Sequence, residues 1–308
     1  MTTEQEILKI IRGSIPNSKQ YLHDDAAVVE KNLIVTTDSL VENTHFTLKT
    51  YTPEEIGWKA LAINLSDIAG MGAKPLYALV ALCIPKSTNK KWIKRLYKGI
   101  LSCAKKYKLQ IIGGNLARAK EINITITAIG KTSTNIGKRS NAKPGDLVFT
   151  TGTFGDSVTG LLLMPHIETC SGTSLIKKHK CPIPQIETGI KITKLCNRLA
   201  LMDASDGLAD CLIQIANESK VKIIAHEDKI PISKTVKLVK KNALDLALYG
   251  GEDYELVGTA RKKDCNKLKN LKGIKVIGEV VKGNGAFLKQ KNGKVVRLDM
   301  KKSFNHFN

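Results

Sequence analysis

The chain has 308 residues and a mass near 33.7 kDa, with 42% hydrophobic and 25% charged residues. That balance excludes wholesale disorder, collagen-like repeats and a coiled coil, and the length predicts two domains or one large one. Lys and Arg number 49 against 28 Asp and Glu, a net charge of +21, so any reading of function must say what the basic surface is for.

In chain order, the opening segment MTTEQEILKIIRGSIP carries acids where a signal peptide is basic and lacks a small-residue cleavage site, so no export signal is expected. Residues 3–12 predict a short helix. The β-branched run 33–37 predicts a strand that ends at Asp38. Residues 53–71 predict a strong helix: Pro53 opens it, Glu54 and Glu55 fill its first turn, and Gly72 and Pro75 end it. Residues 76–84 predict a short buried strand. The nearly apolar run here is about half the roughly 20 residues that cross a bilayer, so no membrane span is expected. An amphipathic helix is predicted over 90–107, a strand over 109–112 that breaks at Gly113-Gly114, and an alternating strand over 122–130.

The polar, turn-rich stretch 134–146 reads as a domain boundary. It separates an N-terminal unit, 1–140, from a C-terminal unit, 141–308. Beyond it come a strand at 147–151, a helix opened by Gly152–Ser157 and running through 163, a helix at 189–199, a strand end at 200–203 and a helix at 205–218. A strand at 221–224, a helix at 244–248, a strand at 254–259 and short strands near 274–280 and 295–298 complete the pattern. Strands and helices alternate in each half, which predicts an α/β or α+β architecture.

The seven cysteines are odd in number and contain no C-x-x-C pair, against a disulfide framework or zinc ribbon. Cys83, Cys103, Cys196 and Cys211 read as small core residues, and a reducing cytoplasm fits. The basic charge suggests nucleic acid first. Its distribution argues otherwise: residues 261–308 hold 14 Lys/Arg against 3 Asp/Glu, while residues 21–70 hold 8 acids against 3 bases. With aromatics at 5%, there is little on which to stack bases. A surface that attracts anionic ligands is favoured over a duplex-binding protein.

The acids of that local excess need an explanation. Asp67 lies in the most apolar helix, one turn after Asn64, and is costly to bury unless paired or bound to a cation. Asp38 follows a strand, where ligand crevices of α/β proteins open, although taken alone a plain strand-ending turn is the favoured explanation. Asp24-Asp25 is ambiguous alone. Asp203, Asp206 and Asp210 follow one another with no base between Arg198 and Lys220; Ser205 or Asp206 could also be an ordinary N-cap. Together they form an oxygen-only donor set that suits Mg²⁺, whose usual work is phosphoryl chemistry. No P-loop is present. The Gly-rich turns at Gly113-Gly114-Asn115, Gly152–Ser157 and Gly250-Gly251-Glu252-Asp253 are candidate phosphate sites or simple turns. Arg139 is a candidate phosphate clamp or a solvated surface residue.

The segments TTDSLVENTHF (36–46), KALAINLSDIAGMGA (59–73), NAKPGD (141–146), TGTFGDS (151–157), MDASDGL (202–208) and GGEDYEL (250–256) resemble those of the thiamine-monophosphate kinases, in the same order, over about residues 20–307. The wider superfamily includes aminoimidazole ribonucleotide synthetase, selenophosphate synthetase and the hydrogenase-maturation dehydratase. The resemblance implies ATP-dependent phosphorylation of thiamine monophosphate to thiamine diphosphate by direct in-line transfer, with several Mg²⁺ ions. It implies a homodimer whose mixed-sheet N-terminal domains pair into a barrel, beside an α/β C-terminal domain. By the family pattern Asp25, Thr37, Asp38, Asp67, Asn115, Asp203 and Asp206 match metal positions, with Asp38, Asp67 and Asp206 the candidate catalytic carboxylates. Gly114, Arg139 and Ser205 match nucleotide contacts, and His45, Glu252 and Phe304 match substrate contacts. Three departures stand out. Tyr21-Leu22-His23-Asp24-Asp25 lacks the usual glycines, Asn115 replaces an Asp, and Cys181-Pro182 replaces Arg-Pro. A catalytically weakened nucleotide-binding relative, or a sister enzyme with another acceptor, is therefore the alternative.

Overall fold

The structure is a computed structural model that describes residues 4–16, 18–30, 32–133, 135–164, 174–239 and 242–303. Two short helices, α1 (Glu4–Ser14) and α2 (Ser18–Tyr21), precede a five-stranded sheet. Its strands are β1 (Ala27–Val29), β2 (Leu33–Val41), β3 (Lys74–Ile84), β4 (Gln110–Arg118) and β5 (Asn123–Lys131), in the order β1-β2-β5-β3-β4. All neighbours are antiparallel except β3 and β4. The sheet is therefore mixed.

Helix α3 (Pro53–Gly70) is started by local chemistry. The Thr52 hydroxyl accepts from the Glu55 N–H, and the Glu55 carboxylate accepts from the Thr52 N–H, a reciprocal capping box with Pro53 in the first turn. Almost every residue after its first turn is buried, because α3 is covered by β2 and β5 on one side and by helix α4 (Lys90–Tyr107) and the C-terminal half on others. Helix α4 is amphipathic: it is capped by Asn89 and buries Leu96, Ile100 and Cys103.

The C-terminal half holds a seven-stranded mixed sheet. Its strands are β6 (Asp146–Thr150), β7 (Leu199–Asp203), β8 (Lys222–His226), β9 (Leu256–Arg261), β10 (Lys275–Val281), β11 (Gly285–Lys289) and β12 (Val295–Arg297), in the order β12-β11-β8-β10-β6-β9-β7. Helices α5 (Asp156–Leu163), α6 (Ser174–Lys180), α7 (Ile186–Leu195), α8 (Leu208–Ser219), α9 (Lys234–Val239), α10 (Ala243–Tyr249) and α11 (Lys262–Leu268) surround it. The two-residue period of β7 divides the interior. Leu199 and Leu201 join a core shared with α3 and the first sheet, while Ala200 and Met202 join a second core beneath α8.

Three sequence expectations change. Asp38 does not end its strand; β2 runs on to Val41, because Leu33–Val41 pairs along its whole length with β5. The strand at 109–112 does not break at the glycines: β4 continues to Arg118 beside β3, and the irregularity is a register shift opposite Ala78 and Leu79. Cys83 is only partly buried, whereas Cys265, not anticipated as a core residue, is fully so.

Candidate active site

Helix α3 sits beneath β2 so that two of its polar residues, one turn apart, reach the strand. The Asn64 side chain accepts from the Asp38 N–H at 3.0 Å and anchors itself on the Ala60 carbonyl. The Asp67 carboxylate accepts from the Thr36 hydroxyl at 2.5 Å. Thr36 and Asp38 share the buried face of β2 by strand alternation. From the other half, the Asp203 N–H at the end of β7 donates to Asp25 Oδ2 at 3.0 Å. The Arg139 guanidinium grips Asp25 Oδ1 at 2.6 Å and also donates to Gln214, while its N–H donates to Asp24.

The result is four carboxylates, Asp25, Asp38, Asp67 and Asp203, close enough to disturb one another. Burial, followed by the charges of Asp38, Asp203 and Asp25, pushes the Asp67 carboxyl well above its ordinary range. Burial and then Asp25 push Asp203 in the same direction. Asp203 Oδ2 is buried and has no hydrogen-bond partner. An orphaned acceptor among like charges, with oxygen donors only, fits a hard divalent cation. Among the described residues no three His, Cys, Asp or Glu side chains form a ready-made cage. Mg²⁺ rarely needs one, since one or two carboxylates, water and substrate phosphates complete its shell.

Asp38, Asp67, Asp203, Ser205 and Asp206 line a cleft of about 370 Å³. His45, Phe46, Tyr51, His179, Glu252 and Tyr254 line the same cleft. Phe46 and Tyr51 meet edge to face at 6.3 Å, and Tyr51 stands 6.1 Å from the His179 ring. His45 Nδ1 accepts from the Val41 N–H, so a neutral His45 carries its proton on Nε2. Glu252 is held by Lys59 at 2.7 Å and His179 at 3.1 Å. Burial opposes its charge, but Lys59 and then His179 leave its carboxyl below the ordinary range.

The cleft thus gathers Asp38, Asp67, Asp203, Ser205, Asp206, His45 and Glu252, with Asp25 and Arg139 directly behind. Three anticipated residues stand elsewhere. The Thr37 side chain is on the opposite face of β2, where its hydroxyl donates to the Ile126 carbonyl. Gly114 and Asn115 both lie on β4, three strands from β2 in the sheet order, exposed and paired with Val80 and Ala81 of β3. Phe304 lies outside the described residues.

Asp210 turns from the cleft to Gln214. The helix start at Gly152–Ser157 is not an open anion site. The Asp253 carboxylate occupies it, accepting from the Gly155 N–H at 2.7 Å and the Ser157 N–H at 3.0 Å. Sequence reasoning missed Thr36, Tyr51, Lys59 and His179. For Lys59 a signal existed, a lone cation within an apolar helix. For the others none did.

Residues 23–132 match the family model for the AIR synthase related protein, N-terminal domain, and residues 143–291 match the one for its C-terminal domain. The two mixed sheets of this chain match the two-domain fold of that class. Within it, the chain is 38% identical over 307 residues to the thiamine-monophosphate kinase of Buchnera aphidicola subsp. Acyrthosiphon pisum, covering 94% of this chain and 93% of that one. It is 37% identical over 286 residues to the thiamine-monophosphate kinase of Bacillus subtilis (strain 168), covering 89% and 88%. Among solved structures, AaThiL complexed with AMPPCP and TMP superposes with a TM-score of 0.89 at 34% identity, covering 99% of this chain and 97% of that one. Thiamine-monophosphate kinase from Stenotrophomonas maltophilia K279a gives 0.79 at 30%, covering 94% and 95%. The chain belongs to the thiamine-monophosphate kinase family.

Proposed function

We propose that this protein transfers the γ-phosphoryl group of ATP to the phosphate of thiamine monophosphate, giving ADP and thiamine diphosphate. The observation that carries the reading is a single cleft lined by carboxylates from both halves of the chain together with aromatic rings, His45 and Glu252. Its support is the likeness, over nearly the whole chain, to thiamine-monophosphate kinases, one of them solved with AMPPCP and TMP.

The acceptor is itself a phosphate, so two polyanions must meet. Mg²⁺ bound by Asp25, Asp38, Asp67, Asp203 and Asp206 would supply charge neutralisation of both phosphates, the main requirement of phosphoryl transfer. The chain's own residues do the positioning. Asn64 and Thr36 fix Asp38 and Asp67, Arg139 fixes Asp25, and the β7 turn presents Asp203, Ser205 and Asp206. A phosphate acceptor is largely ionised near neutral pH, so His45 serves as a donor to substrate and not as a base. Phe46 and Tyr51 offer flat apolar faces to the thiamine rings, and Glu252 an ionised acceptor. Phe304 is assigned to the same substrate.

Residues 1–140 are assigned as the metal- and ATP-binding, dimer-forming unit, and 141–308 as the unit for substrate and phosphate. The first sheet leaves Tyr77 and Leu79 exposed on its open face, and Ile112 and Leu116 exposed on its edge strand β4. Exposed apolar residues on an open sheet face and an uncovered edge strand favour pairing with a second copy of the chain, into a barrel. In that homodimer Gly114, Asn115 and Thr37, remote from the cleft of one chain, belong to the nucleotide and metal sites near the interface. No helix among the described residues is long and apolar enough to cross a membrane. The described thiols are all unpaired, which suits the cytoplasmic location assigned to this chain. A coupled ADP-release assay with purified protein, ATP and Mg²⁺ tests the reading: release must depend on added thiamine monophosphate, and release indifferent to it would sink the assignment.

A further inference from the structure

We propose that Lys59 and His179 are positioning residues that aim the Glu252 carboxylate into the cleft and thereby set its affinity for the acceptor. The proposal rests on the reading that Glu252 faces thiamine monophosphate. Lys59 is wholly buried, at 0% exposure, within the apolar helix α3. A buried ammonium is costly unless paired. Here it is paired with Glu252 Oε1 at 2.7 Å and donates to the Tyr51 hydroxyl at 3.3 Å. One cation thus ties the carboxylate to a ring on the cleft wall.

His179, on α6, holds the second oxygen. Its Nδ1 lies 3.1 Å from Glu252 Oε2 and 2.9 Å from the Ser157 hydroxyl. An ionised carboxylate only accepts, so Nδ1 carries the proton and Nε2 is bare. Burial, with Lys59 nearby, lowers the imidazole pKa to about 3, so the ring is neutral at working pH. A neutral donor orients Glu252 without adding charge. Lys59 and Glu252 then cancel in charge.

The backbone adds a constraint. Glu252 has a φ of +57°, a left-handed conformation uncommon for a residue with a side chain. It is held by the Glu252 N–H donating to the Ser205 carbonyl, next to the cleft's Asp206. Such conformations persist where surrounding contacts over-determine them. Elements from both halves, α3, α6 and the turn after β7, therefore converge on one carboxylate, more restraint than a surface Glu needs.

The test is a double-variant cycle on the full-length protein, reading kcat and KM separately for thiamine monophosphate and ATP, with melting curves to confirm folding. Glu252→Gln and Lys59→Met should each raise KM for thiamine monophosphate by roughly 10–100-fold, with KM for ATP within about twofold. The double variant should be no worse than the poorer single one. His179→Leu should raise the same KM, and His179→Asn, which keeps a donor at the Nδ1 position, should recover most of the loss. If Glu252→Gln raises KM but folded Lys59→Met and His179→Leu do not, or if the effects multiply, the positioning roles are wrong while the substrate contact stands. If Glu252→Gln itself leaves that KM unchanged, the substrate contact fails, and the proposal with it.

Discussion

The main-chain N–H of Asp203 donates to the carboxylate of Asp25 at 3.0 Å, across 178 residues of chain. This bond joins the two halves of the protein at the edge of the cleft, and it depends on space left by a third residue. A Cβ on Gly70 would stand 2.0 Å from Asp25 Oδ2 and 3.1 Å from the Asp203 nitrogen. Gly70→Ala is therefore expected to displace both acids. The stability cost should be about 1–3 kcal/mol, the usual range for overpacking, and the loss of kcat larger than that cost implies. Urea melts and steady-state kinetics check both.

Asp67→Asn should separate function from stability. The amide keeps an oxygen to accept from Thr36 but removes one charge from a group of four. ADP formation should fall by roughly 10²–10³-fold or more. The melting temperature in Mg²⁺-free buffer should stay level or rise, since repulsion is relieved. A variant with full activity would remove Asp67 from the site.

Cation and nucleotide should stabilise the protein together. The carboxylates form no complete cage, so Mg²⁺ is expected to bind weakly until phosphates add their oxygens. The melting shift with both Mg²⁺ and an ATP analogue should exceed the sum of the separate shifts. At about 100 times the dissociation constant the gain approaches about 2.7 kcal/mol. Chelation by EDTA should abolish turnover.

His179 gives a pH dependence of known sign. Its folded pKa, about 3, lies below the ordinary value of 6.5, so the unfolded chain binds the extra proton first. The stability this contributes is present above about pH 6.5 and is lost as pH falls towards 3. Between pH 6.5 and 5 it amounts to about 2 kcal/mol. His179→Leu should flatten stability across that window, read by denaturant melts at each pH. Glu252, with its lowered pKa, acts in the same direction at lower pH, below the ordinary carboxylate value of 4.5.

Leu116 is 69% exposed on β4, the edge strand of the first sheet. Light scattering should give the native chain twice its 33.7 kDa mass. Leu116→Asp should move it towards the monomer without lowering the melting temperature of the isolated chain. A native monomer at micromolar concentration would rule out the barrel.

Much of the frame was legible where the code is local. Thr52, Pro53 and Glu55 start α3 by bonds within one turn, and α4 occupies the span its periodicity marks. The motifs around Asp38, Asp67, Asp203 and Glu252 could be recognised because their residues are neighbours in the chain. The continuation of β4 past two glycines could not, since pairing with β3 outweighs the local preference to turn. Nor could the side-chain partners. Asp253 filling the start of α5, Arg139 gripping Asp25 and Lys59 reaching Glu252 each join residues roughly a hundred or more positions apart. Sequence alone established which acids the protein has and on which elements they stand, because helix caps, strand periods and turns act over a few residues. Folding alone decided which of them share a cleft, which are neutralised by Arg or Lys and which oxygen is left for a cation, because charge and burial depend on distance in space, and the chain order of these residues does not set that distance.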